Sequence, residues 1–212
     1  MHKVYRDFFT EEDLHELENI ITKSPWRTAQ AIGSNSLVTD SYNSRRSDIC
    51  IAPPEQIPIK YRNKLLEAFN EVKPGKYLLV EHWGINRYRF DNKGCFKWHK
   101  DRLSGFHLLA SDIQKNITPE EIFIRNTRPT REMSASIALT DRSNYTGGQF
   151  VIDKGDGRRS PVGLNRGDAI VFDSDTFHGV EEVTEGFRQA LIVWAVDKVK
   201  WEEWKALCFE DK

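Results

Sequence analysis

The 212-residue sequence contains only three cysteines, Cys50, Cys95 and Cys208, and none of them forms a CxxC pair. An odd number of well-separated cysteines does not fit a disulfide framework, so we predict free thiols in a reducing, cytoplasmic setting. Long apolar runs are also missing. The first residues do not form the apolar core of a secretion signal, and no segment approaches the length that crosses a membrane.

The chain has no excess of charge of either sign. Its 31 Lys and Arg residues nearly balance 32 Asp and Glu residues, which leaves a net charge of -1. Balanced charge gives no overall attraction to nucleic acid or to a membrane surface, so neither is expected as a partner. Repeats, linkers and low-complexity tracts are lacking as well. The length and a hydrophobic content of 39% therefore predict a single domain, 1–212.

The sequence changes character near residue 75, where Pro-Gly marks a turn. Before this point, Thr10 begins one predicted helix and a second runs over about 58–72, each with apolar residues at helical spacing. After it, short strands alternate with turns, which predicts an antiparallel jelly roll. The fold class is therefore mainly β with flanking helices: helical support in 1–75, packed on one sheet, and a jelly-roll core in 76–198.

Two finer expectations concern the ends of elements. Gly147 and Gly148 are typical of a hairpin turn leading into the strand 149–152. The final segment, 199–212, is predicted to be a short helix whose buried side carries Trp201, Trp204, Ala206, Leu207 and Cys208.

The stretch from Tyr88 to Asp101 ends in His99-Lys100-Asp101. In an extended strand, residues two apart project from the same face, so the imidazole of His99 and the carboxylate of Asp101 would converge. Two histidines and one carboxylate form the facial triad of non-haem Fe(II) oxygenases. The pair supplies two of these three ligands. Taken alone, it fits a polar pair at a strand edge better than a metal site.

A third ligand has to come from the other histidines. His178 follows a strand and a turn and opens another strand, so it is placed to face the interior of a barrel. Because a jelly roll brings distant strands together, its separation of 79 residues from His99 is no obstacle. Of the other four histidines, His2 and His15 are predicted to be solvated. His82 is predicted to be a core residue, and His107 lies in an irregular insert.

Arg188 lies ten positions after His178, in a strand whose alternation places four residues on one face: Arg188, Ala190, Ile192 and Trp194. A guanidinium buried on such a face is costly unless a partner neutralises it. Its planar fork suits a carboxylate bound through two hydrogen bonds. A dicarboxylate that chelates the metal at one end and pairs with Arg188 at the other would satisfy it, and 2-oxoglutarate is such a molecule.

In combination, His99-x-Asp101, His178 and Arg188 resemble the Fe(II)/2-oxoglutarate-dependent dioxygenases, specifically their prolyl 4-hydroxylase-like branch. The similarity spans about 77–196, and it includes the stretches 86–96, 134–141 and 167–188. Arg188 stands where animal and plant prolyl hydroxylases typically carry Lys, which points to the bacterial and phage-type subgroup. Asp101 is retained where related halogenases carry a small residue, which favours hydroxylation. The fold that the resemblance implies is a double-stranded β-helix, the cupin-like form of the jelly roll.

The resemblance also implies roles. His99, Asp101 and His178 would ligate the iron. Arg188 would pair with the distal carboxylate of 2-oxoglutarate, and Tyr88 would donate a hydrogen bond to the same cosubstrate. The interval from Tyr88 to His99 is longer than in the usual pattern, and an ordinary core tyrosine is the alternative for Tyr88. The implied cofactors are Fe(II), 2-oxoglutarate and O2, with ascorbate as a candidate reductant.

The implied reaction is hydroxylation of a C–H bond, with decarboxylation of 2-oxoglutarate to succinate and CO2. By analogy the substrate is a peptidyl residue such as proline, in a peptide or protein. A free amino acid or another small molecule is the alternative, and a non-catalytic jelly roll that binds a metal or ligand is a third hypothesis. No substrate contact can be assigned. Arg45-Arg46 is interpreted as a solvated turn, Phe96 and Trp98 as packing residues, and the insert 103–131 as a candidate lid.

Overall fold

The computed structural model describes residues 1–29, 44–102, 124 and 127–209, with the side chain of His82 excepted. Within these ranges the fold is mainly β, as predicted. Its helices are α1 (Glu11–Ile21), α2 (Ile59–Val72) and α3 (Lys198–Phe209). Its strands are β1 (His2–Tyr5), β2 (Arg27–Thr28), β3 (Arg45–Arg46), β4 (Asp48–Ala52), β5 (Leu78–Arg89), β6 (Cys95–His99), β7 (Arg131–Ala138), β8 (Tyr145–Gly147), β9 (Phe150–Asp153), β10 (Arg159–Val162), β11 (Ala169–Asp173), β12 (His178–Val180) and β13 (Val183–Asp197). None of the helices in these ranges combines the length and the apolar character needed to cross a bilayer.

The strands form two antiparallel sheets, which confirms the predicted jelly roll. The larger sheet has the order β1-β11-β7-β13-β5-β4-β2, and β8 pairs with β13 beside it. The smaller sheet has the order β10-β9-β12-β6-β3. Strands β6 and β12 are neighbours in the smaller sheet. This pairing places His99, at the end of β6, beside His178, at the start of β12, although the two are far apart in sequence.

The two N-terminal helices cover the outer face of the larger sheet. Thr10 caps α1 through a capping box: its hydroxyl accepts from the Asp13 amide at 3.2 Å, and the Asp13 carboxylate accepts from the Thr10 amide at 3.2 Å. Apolar residues of α1 and α2 pack in one cluster with outward-facing residues of the sheet, among them Leu14, Leu65 and Leu191. The prediction of helices packed on one sheet is therefore confirmed.

Alternation along β13 divides its residues between the two sides of the sheet. Leu191 and Val193 belong to the cluster beneath the helices, whereas Arg188, Ile192 and Trp194 line a cavity between the sheets. This is the division predicted from the strand period. It brings a guanidinium into the interior of the barrel.

Strand β1 was not expected from the sequence. It pairs with β11, with His2 opposite Phe172 and Tyr5 opposite Ala169. His2 was predicted to be solvated but is half-buried in this strand. Four residues without a clear alternation carry little signal, and the pairing partner is more than 160 residues away.

Two other expectations were wrong. Gly147 and Gly148 do not close a hairpin, because β8 pairs with β13 whereas β9 pairs with β10 and β12. Both glycines have positive φ, 72° and 59°, and a Cβ on Gly147 would lie 2.2 Å from the Glu182 carbonyl oxygen. They therefore carry the chain from one sheet to the other. The predicted C-terminal helix is present as α3, with Cys208 buried and Trp201, Trp204 and Ala206 half-buried. Only the inward placement of Leu207 was wrong, since this residue is 64% exposed.

The remaining expectations separate into three groups. All three cysteines are free and buried, as predicted. The candidate lid 103–131 lies largely outside the described residues, and His107 and the side chain of His82 lie wholly outside them. The assignment of 1–212 to one domain stays a prediction.

Candidate metal centre

Three side chains converge inside the barrel. In the antiparallel pair of β6 and β12, His99 lies opposite His178, and Asp101 follows His99 by two residues. Nε2 of His99 is 3.5 Å from Oδ1 of Asp101, and Nε2 of His178 is 3.4 Å from Oδ2. One donor atom from each residue lies within 4.8 Å of the other two. The structure thus brings together the three residues selected from the sequence, as two imidazoles and one carboxylate.

Both imidazole rings are oriented by backbone carbonyls. Nδ1 of His99 is 2.6 Å from the Lys97 oxygen, and Nδ1 of His178 is 3.0 Å from the Thr176 oxygen. Because a carbonyl accepts, each Nδ1 carries the proton and each Nε2 presents its lone pair to the centre. Nε2 of His99 is buried and has no hydrogen-bond partner among the described residues. A bound cation would satisfy this nitrogen, so the donor set fits a metal ion.

The electrostatics of Asp101 and His99 favour their metal-binding forms. Burial alone would raise the pKa of Asp101, but its proximity to His178 and, less strongly, to His99 holds that pKa well below its usual range. Burial lowers the pKa of His99, with a further lowering from His178, against the opposing effect of Asp101. An ionised carboxylate and a neutral imidazole are the forms that bind a metal.

Two buried serines fix the orientation of the carboxylate. The Ser134 hydroxyl donates to Oδ2 of Asp101 at 2.8 Å, and it is also 2.8 Å from the hydroxyl of Ser174. Because Ser134 has a single proton and uses it on Asp101, Ser174 is the donor to Ser134. Both serines are fully buried. Sequence reasoning did not assign them a role, although a small polar residue on the inner face of an apolar strand was the available signal.

A cavity opens between the sheets beside these residues. Apolar side chains such as Phe150, Phe172 and Ile192 form much of its wall. Its polar members are Asn86, Tyr88, His99, Asp101, Ser136, His178 and Arg188. All five site residues predicted from the sequence therefore line one cavity.

Arg188 and Tyr88 are direct neighbours in the larger sheet, opposite each other in the pair of β13 and β5. Arg188 is only 3% exposed, and its Cζ lies 5.5 Å from the centre of the Tyr88 ring. In the part of the chain that the structure describes, Nη1 of Arg188 is buried without a hydrogen-bond partner. A buried guanidinium in this state is suited to an anionic ligand.

A chain of hydrogen bonds orients the Tyr88 hydroxyl. Nη2 of Arg45 donates to Oδ1 of Asn86 at 2.8 Å, and Nδ2 of Asn86 donates to the Tyr88 oxygen at 3.3 Å. Nε of Arg45 donates to the Ser47 hydroxyl at 3.0 Å. Because Tyr88 accepts from Asn86, its own proton remains available to the cavity.

Arg45 is not part of a solvated turn, so that interpretation was wrong for this residue. It is 8% exposed, and burial lowers its pKa. Its guanidinium lies 4.5 Å from the centre of the Phe96 ring, and that ring stacks on His99 with centres 3.5 Å apart. The reason is the pairing of β3 with β6, which sets Arg45 opposite Phe96. Trp98 is half-buried and stacks on Phe177.

The family model described as the 2OG-Fe(II) oxygenase superfamily matches residues 83–196, which is more than half of the chain. The chain belongs to this superfamily. Membership implies Fe(II), 2-oxoglutarate and O2 as cofactors. The matched segment contains all the residues proposed from the sequence as ligands of iron and cosubstrate, whereas Arg45 lies outside it.

Curated PKHD-type hydroxylases match about half of this chain. A PKHD-type hydroxylase from Alteromonas mediterranea is 29% identical over 117 residues, which is 55% of this chain and 48% of that protein. PKHD-type hydroxylase YbiX from Escherichia coli O157:H7 is 32% identical over 114 residues, 54% of this chain and 46% of that protein. The match thus spans less than half the length of these relatives.

Solved structures of prolyl hydroxylases share the fold over nearly the whole chain. A prolyl-4-hydroxylase from Pseudomonas putida has a TM-score of 0.61 at 17% identity, covering 93% of this chain and 92% of that one. A prolyl hydroxylase from Trichoplax adhaerens, in complex with a hypoxia inducible factor peptide fragment, has a TM-score of 0.62 at 10% identity, covering 95% and 86%. At these identities the likeness shows the jelly-roll fold alone.

Proposed function

We propose that the protein is an Fe(II)- and 2-oxoglutarate-dependent hydroxylase of the prolyl 4-hydroxylase-like type, with His99, Asp101 and His178 as the iron ligands. The observation that carries this proposal is their convergence in one cavity with the buried guanidinium of Arg188, whose Nη1 has no hydrogen-bond partner among the described residues. Bound Fe(II) and 2-oxoglutarate, with O2 as the oxidant, would supply the oxidation of a substrate C–H bond, with release of CO2 and succinate.

The protein's own contribution is to bind, orient and shield. The three ligands are held by the Lys97 and Thr176 carbonyls and by Ser134. Arg188 pairs with the distal carboxylate of 2-oxoglutarate, because within the described ranges its Nη1 lacks any other partner. Tyr88 donates its free hydroxyl proton to the same molecule. The apolar wall keeps water away from the reacting centre, which strengthens each of these polar contacts.

For the substrate, we propose a peptidyl residue, with proline first. The support is indirect: two relatives carry the name PKHD-type hydroxylase, and two structural neighbours are prolyl hydroxylases, one of them solved with a peptide fragment. We further propose a cytoplasmic location, supported by three cysteines that are free and buried, and ascorbate as an effective reductant.

The test of the reaction is succinate formation by the purified chain with Fe(II), 2-oxoglutarate, O2 and ascorbate. Proline-containing peptides, free amino acids and other small metabolites are supplied in parallel and analysed for a gain equal to the mass of one oxygen atom. Oxygen incorporated into a peptide supports the full proposal. Incorporation into a free amino acid or metabolite supports the chemistry and overturns the peptide assignment. Metal and 2-oxoglutarate binding without succinate from any substrate would instead support a non-catalytic binding protein.

The cosubstrate assignment is tested by Arg188→Met, which keeps much of the side-chain volume and removes the charge. Loss of one partner of a buried charge pair costs about 2–5 kcal/mol, so the Kd for 2-oxoglutarate should rise at least about 30-fold. Metal affinity should not change, because Arg188 does not contact the three ligands. Pyruvate, which has no distal carboxylate, is the matched control and should bind both proteins equally. An unchanged Kd for 2-oxoglutarate would refute the role of Arg188.

A further inference from the structure

Three buried polar atoms that line the cavity have no hydrogen-bond partner in the described part of the chain. They are Nε2 of His99, Nη1 of Arg188 and Oγ of Ser136. The proposed function accounts for the first through the iron and for the second through the distal carboxylate of the cosubstrate. It does not account for Ser136, which is only 2% exposed.

The neighbours of Ser136 in the sheet cannot satisfy its hydroxyl. On one side it lies opposite Ile170 of β11, and on the other side opposite Ile192 of β13. Along β7, the next inward positions are Ser134, whose proton is used on Asp101, and Ala138. A buried hydroxyl surrounded in this way loses its hydrogen bonds to water without replacing them. A ligand in the cavity would supply the acceptor that the described residues do not.

The position of Ser136 relates it to the cosubstrate. Ser134, one inward position away, holds the carboxylate ligand of the metal centre. Ile192 of β13 lies opposite Ser136, and Arg188 is four residues from Ile192, on the side away from Ser134. Four residues of strand span roughly 13 Å, and the long arginine side chain shortens the remaining gap. Along the sheet, Ser136 therefore lies between the metal centre and Arg188, and it lines the cavity that both border.

We propose that Ser136 donates a hydrogen bond to a carboxylate oxygen of bound 2-oxoglutarate and acts with Arg188 to position it. This inference rests on the proposed function, because it requires a dicarboxylate in the cavity. A hydroxyl fixed by the sheet recognises an acceptor without adding charge. Ser136 would therefore favour a 2-oxo acid over an apolar molecule of similar size.

The test uses the protein loaded with Mn(II) and kept free of O2, so that binding is measured without turnover. Calorimetric titration with 2-oxoglutarate compares the unmodified chain with Ser136→Ala. Loss of one hydrogen bond to a charged group should raise the Kd about tenfold or more, with Mn(II) affinity unchanged. The ligand-free variant should be at least as stable to heat as the unmodified protein, because the substitution removes a donor that has no partner. A purely structural serine would give the opposite pattern: lower stability and unchanged 2-oxoglutarate affinity.

Two further measurements separate the possible outcomes. Ser136→Cys replaces the hydroxyl with a somewhat larger and weaker donor and should give an intermediate Kd, so a fold defect in the alanine variant does not prevent a decision. Failure of the unmodified Mn(II) protein to bind 2-oxoglutarate would overturn the proposed function itself. Normal binding by that protein with an equal Kd in both Ser136 variants would overturn only the role of Ser136. Where Ser136→Ala weakens binding, pyruvate identifies the end involved: an equal loss indicates the carboxylate beside the metal, and no loss indicates the distal one.

Discussion

Replacing Ser134 with alanine should weaken metal binding without touching a metal ligand. The fully buried Ser134 hydroxyl donates a hydrogen bond to Oδ2 of Asp101 at 2.8 Å and accepts one from the Ser174 hydroxyl. In Ser134→Ala the carboxylate loses the donor that fixes its orientation. Among the described residues, Ser174 contacts Asp101 only through Ser134, so it does not replace the lost donor.

The size of the effect follows from the charge on the acceptor. A hydrogen bond to a charged group contributes about 1.5–3 kcal/mol. Loss of a partner that orients a metal ligand typically lowers metal affinity 10- to 100-fold, or about 1.4–2.7 kcal/mol, so the two estimates agree. Ser174→Ala removes a bond between neutral hydroxyls, worth about 0.5–1.5 kcal/mol, and only part of that reaches the metal. It is therefore the matched control, with an expected loss of less than about threefold.

The measurement is a calorimetric titration of each apoprotein with Mn(II) or Zn(II) at neutral pH, together with thermal unfolding to exclude a global defect. The affinity for the metal should be highest in the unmodified protein, slightly lower in Ser174→Ala and lowest in Ser134→Ala. Equal metal affinity in Ser134→Ala and the unmodified protein would show that the contact does not position the ligand. An equal loss in both serine variants would show that the effect comes from general loosening of the core.

Three other substitutions test separate parts of the structure. His178→Ala removes one of three ligands, so metal analysis after gel filtration should find no stoichiometric Fe(II). Retention of one equivalent of Fe(II) by this variant would exclude His178 as a ligand. Tyr88→Phe should raise the Kd for 2-oxoglutarate roughly tenfold at constant metal affinity, whereas a core tyrosine would leave it unchanged. Asp168→Asn should lower the free energy of unfolding in urea by about 1.5–3 kcal/mol at neutral pH. Burial opposes the lowering of the Asp168 pKa, but hydrogen bonds from two backbone amides and from Arg6 outweigh it. The stability difference between the two proteins should therefore shrink as the pH falls below about 4 and through the lowered pKa of the folded state. A stability difference independent of pH would contradict the assignment.

The parts of the site that were predictable from sequence obey local rules. His99 and Asp101 share a face because they are two residues apart at the end of a strand, and Arg188 faces inward because β13 alternates regularly. The capped helix α1 carries its own start signal at Thr10. Each of these features is set by residues within one turn or one strand of each other, so spacing alone was sufficient.

The parts that were missed depend on which distant segments pair. Arg45 reaches Asn86 across 41 positions, and Ser134 reaches Asp101 across 33. Nothing in the local composition of Arg45-Arg46 separates a buried brace from an exposed turn. Likewise, Gly147 and Gly148 signal a tight change of direction, but not whether the chain stays in one sheet. Such contacts are fixed only when the complete sheet order is known.

The ends of the two sheets have a consequence for how copies of the molecule behave together. Strand β1 occupies one end of the larger sheet and pairs with the backbone of β11 from Ala169 to Phe172. Strand β10, at an end of the smaller sheet, contains Pro161, which has no amide proton to offer a neighbour. An unpaired edge strand can form backbone hydrogen bonds with another molecule. The short strands β1 and β10 discourage such pairing at these two edges. Without residues 1–5, the apolar strand β11 would become a border where separate molecules could join and aggregate.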